Sequence, residues 1–104
     1  MKSSTRVLAI DFDGVIHDFA NPIEGRRMGG PIAGAKNALT QLHRRYKIIV
    51  FTIWRPESHK TIKDFMKYYE LPYDEITNVK PKADYYIDDH GLSFTNWENL
   101  LQQL

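Results

Sequence analysis

The sequence contains no cysteine. That single absence excludes disulfides, thiolate nucleophiles and cysteine-based zinc sites, and it fits a reducing compartment. Long apolar runs are missing too. The longest, residues 7–10 and 48–54, fall well short of the ~20 residues that a membrane-spanning helix takes. The stretch from Met1 to Arg6 lacks the apolar core of a signal peptide. We therefore expect a cytoplasmic chain with no membrane partner. Nor is there an excess of one charge: 14 Lys and Arg stand against 13 Asp and Glu, a formal net charge of +1. A long polyanion such as nucleic acid finds no strong electrostatic signal here. What remains, 104 residues that are 42% hydrophobic and 26% charged, reads as one soluble domain spanning residues 1–104, without repeat or linker.

Strand-like and helix-like stretches alternate, the pattern of a parallel sheet with crossover helices. Residues 6–12 predict the first strand, followed by a Gly/Pro-rich loop over 19–31. Ala35, Ala38, Leu39, Leu42 and Tyr46 share one helical face and predict a helix over 33–46. Residues 47–53 are almost continuously apolar, as in a central strand covered on both faces. A second helix is expected over 57–69, with Ile62, Phe65, Met66 and Tyr69 inward. Short strands are expected at 76–79 and 84–88. Thr95 and Glu98 form a candidate capping box for a last helix reaching Leu104.

The chemistry gathers at the ends of the expected strands. Asp11 and Asp13 close the first, Thr52 lies at the end of the second, and Asp88 and Asp89 close a later one, with Lys80 and Lys82 just before it. Ligands of open parallel sheets bind outside the carboxyl ends of the strands. Asp11 and Asp13, two apart on a strand, face the same way and repel each other unless a cation or proton neutralises them. Magnesium suits such a group, because it is hard, prefers oxygen and takes one or two carboxylates together with a substrate phosphate. Phosphoryl transfer asks mainly for positioning and charge neutralisation. In that chemistry Asp11 is the nucleophile, Asp13 protonates the leaving group and later activates water, and Thr52 with the Ile53 N–H holds the phosphoryl oxygens. Gly14, Arg55 and Lys82 are further candidates for contact with substrate; Arg26 and Arg27 are candidates in the glycine loop. Neither His17 nor His90 is given a catalytic role.

The order Asp11-Phe12-Asp13-Gly14, Thr52, lysine, Asp88-Asp89 resembles the haloacid dehalogenase-like (HAD) superfamily of hydrolases over about the whole chain. The resemblance implies a Rossmann-like α/β/α sandwich with a mainly parallel sheet, Mg²⁺ dependence and phosphatase activity on a small phosphorylated substrate such as a nucleotide or sugar phosphate. It also implies that the metal is held by the Asp11 carboxylate, the Asp13 backbone carbonyl, Asp88 and Asp89. Asp13 favours phosphate-ester hydrolysis, because dehalogenases of the superfamily lack an aspartate there. Lys80-Pro81 matches the family's Lys-Pro form better than Lys82 does. Val15 stands where members often carry Thr, and the loop up to Ala33 is too short for an inserted cap domain. Two other readings stand beside this one: a receiver-type signalling domain, in which the lysine would follow the acidic residues, and a non-catalytic binding module on the same fold.

Overall fold

The computed structural model describes residues 6–88 and 92–104. Its elements in chain order are β1 (Arg6–Asp11), α1 (Ala35–His43), β2 (Tyr46–Phe51), a 3₁₀ turn (Pro56–Ser58), α2 (His59–Tyr68), β3 (Glu75–Thr77), β4 (Tyr85–Asp88), β5 (Leu92–Ser93) and α3 (Trp97–Gln103). The strands form one sheet in the order β3-β2-β1-β4-β5, and every pairing is parallel. The fold is therefore a Rossmann-like α/β arrangement, with β1 at the centre.

Residues opposite one another in a parallel register share a face of the sheet. Leu8, Ile48 and Tyr85 are in register, as are Ile10, Val50, Ile76 and Ile87. That face is the core. Leu8, Ile10, Ile48, Val50 and Ile87 cluster there with Ala35, Ala38, Leu39 and Leu42 of α1, Ile62, Phe65 and Met66 of α2, and Trp97 and Leu100 of α3. The other face carries Ala9, Ile49 and Tyr86 in register. Ala9 and Ile49 are buried yet stand outside the core cluster.

Handedness accounts for this one-sided arrangement. The β1-α1-β2 and β2-α2-β3 crossovers step in the same direction across the sheet, and right-handed connections then lie on the same face. The return from β3 to β4 steps the other way and must cross the second face. It does so with residues 78–84, fewer than the dozen or so that a helical crossover takes, so an extended strap crosses where a helix would pack. Tyr86 fastens the strap: its hydroxyl donates to the Pro81 carbonyl (2.6 Å) and accepts the Ala83 N–H (3.2 Å). Helices on both faces were expected; among the described residues they cover one.

The strap ends in a device that the fold uses twice. Asp84, just before β4, donates its N–H to the Val7 carbonyl (2.8 Å) and accepts the Val7 N–H on its carboxylate (2.6 Å). Asp74, just before β3, treats Ile48 in the same way, at 2.8 Å in each direction.

Several boundaries differ from the sequence reading. Tyr46 begins β2 instead of ending α1, and β2 stops at Phe51, where the chain turns so that Ile53 stands in solvent. The expected second helix opens as the 3₁₀ turn. It closes in a Schellman motif, with Leu71 N–H donating to the Met66 carbonyl and Glu70 N–H to that of Lys67, around Glu70 at φ +55. The cap of α3 is Asn96, whose side chain accepts the Asn99 N–H (2.8 Å); the Thr95 hydroxyl accepts from the Asn99 side chain instead, so Thr95 and Glu98 form no capping box. Strand β5 was not expected.

Candidate active site at the carboxyl ends of the strands

Since Ile10 is in register with Ile87, the next residue of each strand brings Asp11 beside Asp88 on adjoining strands, about 4.8 Å apart across the sheet. The two carboxylates occupy the strap face. Asp11, Phe12, Asp13, Phe51, Thr52 and Ile53 line a shallow cleft of about 190 Å³. Thr52 is 4% exposed, held by its N–H donating to the Thr77 carbonyl (3.0 Å). Its hydroxyl oxygen accepts the Trp54 N–H (3.1 Å), which leaves the hydroxyl proton to be donated elsewhere. The Ile53 side chain is 87% exposed, so any contact of Ile53 with an anion falls to its backbone.

Gly14 turns the chain out of β1 at φ +86, a conformation that side-chain-bearing residues rarely adopt. Gly14 N–H donates to the His17 carbonyl (2.9 Å) and His17 N–H to the Phe12 carbonyl (2.8 Å). This tight turn carries His17 back toward Asp13. His17 is 3% exposed, stacked on Phe12 and edge-on to Phe65. Its Nε2 accepts the Gly29 N–H (3.0 Å), so the ring proton is assigned to Nδ1, which donates to Asp13 Oδ1 (2.6 Å). The other carboxylate oxygen accepts the Trp54 indole N–H (2.8 Å). Asp13 is thus gripped on both oxygens by groups that are themselves packed: Trp54 stands edge-on to Phe12, and its carbonyl is held by His59 Nε2 (2.9 Å).

Trp54 was not picked out in the sequence, and His17 was left without a role. The available signals were a histidine four residues after an aspartate and an indole N–H two residues after a threonine. Both mean something only once the turns at Gly14 and Thr52 are known.

The remaining candidates are placed less centrally. Lys80 lies on the strap with its ammonium over the Tyr86 ring, 4.8 Å from the centroid. Tyr86 precedes Asp88 by two residues on the same face, so Lys80 shares the face of the acids without lining the cleft. Lys82 is exposed further along the strap. Arg55 is an exposed residue that opens the 3₁₀ turn. Asp89 and His90 lie outside the described residues.

The donors that the register brings together, the carboxylates of Asp11 and Asp88, are hard oxygen ligands and fit Mg²⁺ by type. Among the described residues no three His, Cys, Asp or Glu side chains close into a metal cluster.

No family model matches the sequence, and no curated protein matches it. A solved structure of a conserved protein from Bacteroides thetaiotaomicron is similar, with a TM-score of 0.75 and 21% identity over 95% of this chain and 88% of that one. That likeness is one of fold.

Proposed function

We propose that the chain is a Mg²⁺-dependent phosphomonoester hydrolase of the HAD-like type, without a cap domain, acting through an aspartyl phosphate. The observation that carries this reading is the register that sets Asp11 beside Asp88, with Thr52 in the cleft that Asp11 and Asp13 line. An Asp11 oxygen attacks phosphorus and the ester P–O bond breaks, the departing alkoxide taking a proton from Asp13. Water then gives its proton to Asp13 and attacks phosphorus. The Asp11–phosphorus bond breaks, and inorganic phosphate leaves. Thr52 holds the phosphoryl oxygens by its hydroxyl proton. His17 and Trp54 fix the Asp13 carboxylate in position between the two steps. Asp11 and Asp88, with the Asp13 backbone carbonyl, would hold the metal, which when bound neutralises charge on the transferring group. Lys80 is the better lysine for this site, because it shares the face of Asp11 and Asp88. The substrate is a small phosphorylated molecule.

The direct test is the initial rate of p-nitrophenyl phosphate hydrolysis in millimolar MgCl₂ and in EDTA. Mg²⁺ should raise the rate at least about tenfold, a modest share of what such an ion contributes to charge stabilisation. Equal rates in both buffers, or no release across a broad phosphoester panel, would sink the reading.

Trp54→Phe tests the grip on Asp13. It keeps an aromatic ring beside Phe12 and deletes the donor to Asp13, together with the second ring of the indole. A hydrogen bond to a charged group contributes about 1.5–3 kcal/mol to stability, so the melting temperature should fall by several degrees, and kcat, with Asp13 released on one side, should fall about tenfold or more when measured well below that melting temperature. An unaltered kcat would remove Trp54 from the mechanism.

A further inference from the structure

The loop of residues 18–31 lies along the flank of α2, and a second cleft of about 320 Å³ opens between them. One wall comes from Arg26, Arg27 and Met28 of the loop, the other from Asp64, Tyr68 and Tyr69 of the helix. This cleft is separate from the strand-end site and larger than it. Neither arginine has a carboxylate partner among the described residues, whereas Asp64 is already paired with Lys60 at 2.8 Å. The cleft therefore carries two guanidinium groups without a carboxylate partner among the described residues, against one wall carboxylate, Asp64, that Lys60 already pairs.

Its aromatic wall is arranged as a platform. Tyr68 is 71% exposed, unusual for a large ring with no packing duty of its own. It stands edge-on to Tyr69 at 4.8 Å and 87°, and Tyr69 in turn leans on the buried Phe65 at 4.8 Å. The ring is propped by Tyr69 and leaves most of its surface open to solvent. A guanidinium pair opposite a supported, exposed tyrosine is the combination that binds a planar ring and an anion together: the ring stacks, and the guanidinium forks take phosphate oxygens. A cleft of this size falls at the lower end of small-molecule sites, enough for one nucleotide unit.

We propose that this cleft is a nucleotide-binding site, with the base on Tyr68 and the phosphate on Arg26 and Arg27. The site stands on its own residues and does not depend on the reaction at Asp11. It is nevertheless wired to that reaction, because the Gly29 N–H at the cleft's edge is the group that fixes His17, and His17 fixes Asp13.

The test is equilibrium binding of AMP to the full chain in EDTA, where turnover at Asp11 is suppressed, with ribose 5-phosphate and adenosine as the partial ligands. AMP should bind at least about tenfold tighter than either, since each partial ligand forfeits one of the two contacts, the stack on Tyr68 or the phosphate on the arginines. Tyr68→Ala should cost AMP about tenfold and leave ribose 5-phosphate binding unchanged. The Arg26→Ala, Arg27→Ala double variant should cost AMP and ribose 5-phosphate alike and leave adenosine unchanged. All three residues are exposed, so the variants should melt with the parent. A short single-stranded oligonucleotide that binds tighter than AMP, and loses it in the same variants, would identify a strand as the source of the nucleotide. Absence of AMP binding at millimolar concentration, or binding that both variants leave intact, overturns the proposal. Because nothing here is read through phosphate release, a failure of this site leaves the hydrolase reading standing, and the reverse.

Discussion

Asp11→Asn is expected to reduce phosphate release by a factor of about a thousand or more, to the level of the assay background. The substitution is nearly isosteric, so it leaves the β1 pairing with β2 and β4 untouched and removes the charge of the proposed nucleophile. An amide oxygen is too poor a nucleophile to form the acyl phosphate, and splitting the reaction into two displacements is what the carboxylate contributes. A second readout separates loss of chemistry from loss of fold. A cation that binds only the folded chain raises the melting temperature by mass action, so the parent should melt higher in MgCl₂ than in EDTA. Asp11→Asn should shrink that difference while leaving the melting temperature in EDTA close to that of the parent. A variant that retains parental turnover would remove Asp11 as nucleophile. One that retains the full magnesium-induced shift would remove it from the metal site.

The largest effect on stability is expected from Gly29→Ala. A Cβ on Gly29 would stand 1.9 Å from the Asp18 carbonyl oxygen and 2.9 Å from that of Asn21. Both obstacles are backbone, so no side-chain rotation relieves the overlap. The Asp18 N–H is fixed on the Gly30 carbonyl (2.9 Å) and the Asn21 N–H on the Asp18 carbonyl (3.3 Å), and the loop must open at these bonds to admit a methyl group. Overpacking inside a well-ordered structure costs about 1–3 kcal/mol, and a backbone clash belongs at or above the upper end. Each kcal/mol lowers the melting temperature of a domain near this size by about 4–8 °C. Displacing residue 29 also withdraws the N–H that His17 Nε2 accepts, so phosphate release should fall together with stability. A variant that melts with the parent would show that the loop has slack that the geometry denies it.

The parts of the fold that were legible in the sequence are those where a single residue pattern decides the outcome. The continuous apolar run of β2 could only be a central strand, and the stripe of Ile62, Phe65 and Met66 could only be the inner face of α2. The covered face was harder to read, because it depends on strand order, and no local pattern states that β3 lies beyond β2 while β4 lies on the far side of β1. The cap of α3 misled for a simpler reason. Thr95 and Asn96 are both good cap residues, and the glutamate three residues after Thr95 favoured the wrong one. At the candidate site, Asp11, Asp13, Thr52 and Asp88 were visible as polar residues at the ends of apolar runs. Trp54 and His17 were not, because a tryptophan and a histidine beside apolar sequence read as core until two turns aim their N–H groups at one carboxylate.

The aspartates at the opposite edge of the sheet bear on the spacing of Asp11 and Asp88. As many residues separate Val7 from Asp11 as separate Asp84 from Asp88, and Asp84 locks onto Val7 through both its N–H and its carboxylate. Slipping a strand by one residue turns every one of its side chains to the other face; such a slip in β4 would send Asp88 away from Asp11 and into the helices. The Asp84–Val7 clasp acts as the alignment pin against that error. It makes the assembly of the two acids a matter of counting along two strands from a shared origin, at the end of the sheet farthest from any substrate.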